Sequence, residues 1–129
     1  MQNTNQIKVL IIGETCVDKF VYCKVDRLSP EAPVPILKPL YTTHNSGMAA
    51  NTAANIKALY PKSSISYLIA DGDIIKTRYI EEKSNHMFLR VDKGEDSIKS
   101  FKWGLGADTM LEEADITIVS DYNKGFLKD

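Results

Sequence analysis

Three stretches of almost unbroken aliphatic residues punctuate the chain: Ile7–Ile12 (IKVLII), Ile65–Ala70 (ISYLIA) and Ile116–Ser120 (ITIVS). Each is rich in β-branched residues and is closed by Gly or Asp, as in a strand buried on both faces rather than one with a solvated side. Between the first two lies Met48–Tyr60 (MAANTAANIKALY), Ala-rich and stopped by Pro61, with Ala49, Ala53, Ile56 and Tyr60 along one stripe. That spacing predicts a helix. Strand, helix, strand in this order predicts an α/β unit with a parallel sheet. Leu105–Ala114 reads as a second helix leading into the third strand.

Two segments do not fit a plain strand–helix–strand pattern. Phe20–Tyr41 carries Pro30, Pro33, Pro35 and Pro39. A proline cannot donate to a central ladder, so this stretch belongs at a sheet edge or outside the main sheet. Thr77–Glu82 and His86–Asp92 then read as a hairpin around Lys83–Asn85. Together they predict a small β-layer beside the α/β body, formed by segments of about residues 19–43 and 76–92, with the whole chain, residues 1–129, as one domain.

Composition narrows the function classes. A chain of 129 residues with 43% hydrophobic and 26% charged residues can bury a real core as one soluble domain. Its net charge of −1 offers no broad field to nucleic acid or to a membrane surface, so neither is expected as a partner. The start, MQNTNQIK, is polar, and the VLIIG run is too short to span a bilayer and lacks a signal peptide's flanks, which makes the cytoplasm the expected location. Cys16 and Cys23 are expected as reduced, half-buried thiols, and His44 and His86 have no ligand-spaced companions for a metal site.

Candidate chemistry lies at the ends of the predicted elements. Asp18 follows the first strand by five residues, and ligands of open α/β sheets gather beyond strand carboxyl ends. A carboxylate there suits the vicinal hydroxyls of a sugar, and a surface Asp closing a turn is the plain alternative. Gly47 precedes the helix, where unpaired N–H groups and the lack of a Cβ permit close approach. Asn51, one turn on, offers an amide to a hydroxyl-rich ligand or simply faces solvent. Neither GxGxxG nor GxxxxGK[ST] occurs, and GLGADT (Gly104–Thr109) lacks a third glycine, so no nucleotide-phosphate loop is read. Arg78 and Arg90, near Lys76, converge as an anion site if the hairpin register allows; otherwise they pair with Glu81 or Glu82. Asp121 and Lys124 stand at the tip of the third strand.

These pieces in this order resemble the ribokinase-like (PfkB) sugar kinases: GETCVD (Gly13–Asp18), DRLSPEAPVPILK (Asp26–Lys38), SGMAANTAAN (Ser46–Asn55), IKTRYI (Ile75–Ile80), FLRVD (Phe88–Asp92) and SDYNKG (Ser120–Gly125). RLSPEAPVP is similar to the heptose-7-phosphate kinase branch of that family. The resemblance implies an α/β fold, here a truncated ribokinase-like (Rossmann-like) parallel sheet with helices plus a small β-sheet lid that often clasps a second lid in a dimer. It implies that Asp18 binds sugar hydroxyls with Gly47 and Asn51 beside it. Arg78 and Arg90 would lie on lid strands near the sugar or its phosphate, and Asp121 and Lys124 would face the transferring phosphate.

Three departures accompany the matches. The family usually has two adjacent glycines where this chain has Gly47–Met48. Between Ala70 and Ile74 only DGD stands where the family has a further helix and strand. No segment resembles the family's anion hole, its GAGD catalytic Asp, its NxxE motif or its nucleotide pocket. Phosphoryl transfer depends on positioning and charge stabilisation, and the missing base alone is worth a factor on the order of 10²–10⁴. The chain is therefore expected to supply the sugar- or sugar-phosphate-binding half and lid, with ATP and Mg²⁺ belonging to a complete family member and no cofactor bound by this chain alone. Expected partners are a second copy through the lid and a companion chain carrying the nucleotide half. A non-catalytic dimerisation and sugar-binding module is the alternative; an oxidoreductase-type nucleotide-binding domain is opposed by the absent fingerprint.

Overall fold

The computed structural model describes residues 6–70 and 72–128; residues 1–5, Asp71 within the DGD link, and Asp129 lie outside the described residues. Among the described residues, seven strands and two α-helices follow the order β1 (Lys8–Gly13), β2 (Thr15–Leu28), β3 (Pro35–Met48), α1 (Ala49–Leu59), β4 (Ser64–Ile69), β5 (Ile74–Glu81), β6 (Met87–Lys93), α2 (Leu105–Glu113) and β7 (Ile116–Ser120), with a short 3₁₀ turn at Glu95–Ser97.

The three aliphatic runs form one parallel sheet in the order β4-β1-β7. The middle strand explains its unbroken apolar sequence, because both of its faces are covered. Val9 and Ile11 pack on Ala49 and Ala53 of α1, while Leu10 and Ile12 pack with Ala70 and Phe126 on the opposite face. Leu10 and Ile11 are fully buried; each such side chain contributes about 1.5–3 kcal/mol of transfer free energy. The small Ala residues on α1 let the helix sit close to the sheet. The outer strands are less covered: Tyr67 and Ile69 on β4 and Ile116 and Val119 on β7 are all more than 40% exposed. Neither outer edge carries a further strand among the described residues.

The remaining strands make a mixed four-stranded sheet, β3-β2-β5-β6, in which β2 and β5 run parallel and the outer pairs antiparallel. The proline-rich stretch thus lies outside the parallel sheet. Pro30 and Pro33 fall between β2 and β3. Pro35 opens β3, an edge strand, and Pro39 sits beside a register shift between Tyr22 and Cys23. Each is a position where a missing N–H costs no ladder bond. Tyr22 and Tyr41 stack across the pair at 4.8 Å. This sheet is larger than the sequence indicates, because β2 begins at Thr15, one residue after β1, and β3 ends at Met48, directly before α1.

A candidate anion- and sugar-binding site

The β2–β5–β6 register gathers charge on one face. Asp18 stands opposite Lys76, Phe20 opposite Arg78, Lys76 opposite Asp92, and Arg78 opposite Arg90. Residues two apart on a strand share a face, so Cys16, Asp18, Phe20, Lys76, Arg78, Arg90 and Asp92 form one surface. Arg78 Nη1 donates to Asp18 Oδ1 at 2.6 Å, and its guanidinium lies over the Phe20 ring, 5.1 Å from the centroid. Arg90 donates through Nε and Nη2 to both oxygens of Asp92, each at 2.7 Å. That bidentate bond raises Arg90 above its ordinary value and holds the Asp92 carboxyl below the usual range. The arginines therefore do converge, and their partners are Asp18 and Asp92 rather than Glu81 or Glu82. Glu81 instead accepts the Ser84 N–H in the hairpin turn.

Asp18 is neither in the loop beyond β1 nor at a turn; it is a strand residue of the second sheet. Its carboxylate lies where a Cβ on Gly47 would be, and the Cys16 sulfur crowds the same space. The expectation for Gly47 is corrected in one respect: it ends β3 rather than opening the helix, and what it leaves room for is the Asp18 side chain. Met48 takes the turn into α1 at φ 56°, ψ −132°, a left-handed backbone that disfavours any side chain. Cys16 and Cys23 are buried outright, not half-buried, and both thiols are free. Burial pushes the Cys16 thiol up, and Asp18 pushes it the same way, against Lys76, Arg78 and Arg90.

At the end of β7 the chain turns through Asn123 and Gly125, both at positive φ. Asp121 is exposed and its side chain accepts the Asn123 N–H within its own turn, so it stands apart from the charged face. Lys124 joins that face: its Nζ donates to Glu95 Oε2 at 2.9 Å, and Lys76 Nζ lies 3.8 Å from Glu95 Oε1. Asn51 is exposed in the first turn of α1. Among the described residues no group of three His, Cys, Asp or Glu side chains could hold a metal ion, and no helix is long and apolar enough to cross a membrane.

Two glutamates escape the sequence reading. Glu14, between β1 and β2, is fully buried. Its Oε2 accepts the Tyr122 N–H at 3.0 Å, and its Oε1 accepts those of Lys124 at 3.0 Å and Phe126 at 3.3 Å. Its backbone carbonyl accepts the Ala49 N–H at the start of α1. One residue thereby fixes the Lys124 loop and the helix start together. Glu95, in the turn after β6, links Lys76 to Lys124. The only local hint for Glu14 was its place directly after the glycine that closes a buried strand.

The chain is 33% identical to the bifunctional protein HldE of Caulobacter vibrioides across 92% of its own length and 30% of that protein. It is 32% identical to HldE of Helicobacter pylori across 93% of its length and 32% of that protein. The chain thus spans about a third of the length of these curated relatives. The Caulobacter alignment extends over 147 positions although this chain has 129 residues, so the relative carries residues without a counterpart here. No family model matches the chain. A carbohydrate kinase from Agrobacterium tumefaciens superposes with a TM-score of 0.57 over 88% of this chain and 45% of that one, at 10% identity, which shows a shared fold. The chain is a homologue of part of the bifunctional protein HldE, and its α/β body with a second, mixed sheet has the fold of a carbohydrate kinase.

Proposed function

We propose that the chain forms the sugar-phosphate-binding half and lid of an ATP-dependent carbohydrate kinase of the heptose-7-phosphate type, and that it does not transfer phosphate by itself. The observation that carries this reading is the single face on which Asp18, Lys76, Arg78 and Arg90 meet, with Lys124 delivered to its end by the buried Glu14. Asp18 gives one oxygen to Arg78, and a carboxylate has lone pairs beyond that bond for the hydroxyls of a sugar. The cations beside it complement a phosphate monoester.

The second sheet acts as the lid, and its other face, with Val17 and Tyr79 beside Ile75 and Val91, clasps a second copy. The open edges of β4 and β7 receive a companion chain that brings the nucleotide half. ATP and Mg²⁺ belong to that complete assembly. The carboxylates on the charged face do not fit a Mg²⁺ site, because Asp18, Asp92 and Glu95 each face an Arg or Lys. The half-exposed apolar residues of the lid also favour a second reading, a non-catalytic dimerising module that retains sugar binding.

Calorimetric titration with heptose 7-phosphate tests the site. Asp18→Asn keeps the side-chain shape and is expected to weaken binding by at least about tenfold, with the melting temperature within a few degrees of wild type. Unchanged affinity in a folded Asp18→Asn chain overturns the assignment of that residue. ATP-dependent phosphorylation on adding the remaining kinase segment in trans supports the split-enzyme reading; no turnover, with a stable dimer by light scattering, selects the binding module.

A further inference from the structure

Glu95 occupies an unusual position. Its Oε2 takes a hydrogen bond from Lys124, but its Oε1 is shut off from solvent and receives none, with Lys76 Nζ at 3.8 Å. A buried carboxylate oxygen without a donor calls for an explanation. The two ammonium groups come from different parts of the fold, Lys76 from β5 in the second sheet and Lys124 from the loop after β7 in the parallel sheet. Lys76 has a side chain only 13% exposed, yet its neighbours across the strands, Asp18 and Asp92, are already bonded to Arg78 and Arg90.

We infer that Lys76 and Lys124 form a phosphate-binding subsite and that Glu95 is its built-in occupant, a carboxylate that a phosphate group must displace. The inference rests on the reading of this face as a sugar-phosphate site. A carboxylate fills the gap between the two lysines imperfectly, as the orphaned Oε1 shows. A phosphate dianion has three terminal oxygens and can accept from both ammonium groups at once. Glu95 is also placed to leave. It follows Gly94, which sits at φ 85° against the Asp73 carbonyl, and it opens a three-residue 3₁₀ turn closed by bonds from Ser97 N and Oγ to the Gly94 carbonyl. Rotation of the Glu95 side chain frees Lys124 without disturbing β6. Until it rotates, the protein holds its phosphate subsite closed by its own charge.

The test is titration of the full 129-residue chain with inorganic phosphate, followed by calorimetry and by amide shifts of residues 76 and 124. Glu95→Gln removes the competing charge and keeps the shape, so phosphate affinity is expected to rise by at least about tenfold, since one charge interaction at this range is worth roughly fivefold in water and roughly a thousandfold near a protein surface. Glu95→Ala, in a short turn outside both sheets, is expected to give a similar gain and guards against a side effect of the amide. Lys124→Gln in the Glu95→Gln background is expected to abolish the gain. Heptose 7-phosphate is expected to show the same gain and unphosphorylated heptose none, which ties the subsite to the phosphate group. Phosphate affinity that is unchanged or lower in both Glu95 variants, or undetectable in all chains, overturns the inference. A gain that survives Lys124→Gln does so as well. Retention of Asp18-dependent heptose 7-phosphate binding alongside any of these results leaves the sugar-site reading standing; its loss in wild type is the failure of that reading instead.

Discussion

Gly47→Ala is the smallest substitution that reaches the centre of the candidate site. A methyl group at this position overlaps both Asp18 Oδ2 and Cys16 Sγ. Neither neighbour yields cheaply. Cys16 is buried in a cluster with Met48 and Ile74, and displacing a packed side chain to make room costs about 1–3 kcal/mol. Asp18 is tethered through its other oxygen to Arg78, with side-chain exposures of 21% and 22%. An exposed ion pair is worth about 0–1 kcal/mol and breaking a buried one costs about 3–5; pushing Asp18 aside lengthens this pair but removes neither charge, so about 1–2 kcal/mol is the appropriate share. The reduced freedom of the unfolded chain returns about 0.4–1 kcal/mol. The net loss is about 2–3 kcal/mol, or roughly 10 °C in Tm for a domain of this size.

The assay is urea and thermal unfolding of Gly47→Ala beside the same substitution in an Asp18→Ala/Cys16→Ala background. With both obstructing groups removed, the alanine should cost less than about 0.5 kcal/mol, the usual limit of additivity between independent sites. Ligand binding should fall together with stability in the single variant, since Asp18 has to turn away from Arg78. A cost that is the same in both backgrounds, or a single variant with wild-type Tm, refutes the claim that this glycine exists to seat the Asp18 carboxylate.

Two other perturbations separate backbone from side-chain effects. Glu14→Ala leaves one buried and two part-buried backbone donors without their acceptor; at about 1–3 kcal/mol for a buried one and less for the others, a loss on the order of 3 kcal/mol is expected in urea unfolding. Amide exchange should accelerate at Tyr122, Lys124 and Phe126 before it does in β1; undiminished protection there contradicts the anchoring role. At Met48 the side chain is buried and the backbone has positive φ, so Met48→Ala and Met48→Gly both lose the same packing, about 2–5 kcal/mol. Glycine alone relieves a strain of about 1–3 kcal/mol, which reverses the ordinary order and makes Met48→Gly the more stable of the two by about 1 kcal/mol after glycine's own entropic cost. An alanine variant at least as stable as the glycine variant rules this out.

The parallel sheet and its helices were legible because their signal is local. Ile116–Ser120 matches β7 residue for residue, and α1 lies one residue inside each end of the predicted helix. The second sheet was legible in its hairpin, read at Thr77–Glu82 and His86–Asp92 and found as β5 and β6, whereas its β2–β3 pair was legible only as an exclusion. Along Thr15–Leu28 the charged face carries Cys16, Asp18 and Phe20 while the other carries Val17, Lys19 and Val21, so polar and apolar residues occur on both faces and alternation is lost. The strand is continuous because β3 and β5 supply its ladder, not because its own pattern requires it. Arg78 was identified but not its bond to Asp18, which lies 60 residues away. Glu14 could not be recognised at all from its neighbourhood. A glutamate is normally solvated, and what buries this one is a row of N–H groups from residues 108 to 112 positions further along.

The two unread glutamates explain how a site can be built across two sheets that share few contacts. The charged face belongs to the second sheet, whereas Lys124 hangs from the first. A lysine on an exposed loop ordinarily wanders through many rotamers, and ordering it costs up to about 2 kcal/mol in side-chain entropy. Glu14 removes most of the backbone part of that freedom by fixing the N–H groups on either side, and Glu95 fixes the ammonium end. Glu14 does this without spending any of the surface charge, since it is wholly interior. Glu95 does it at the expense of the charge that a ligand would use. The first glutamate therefore sets where Lys124 stands, and the second sets whether it is free, which is why the loss of one should appear as instability and the loss of the other as a gain in phosphate binding.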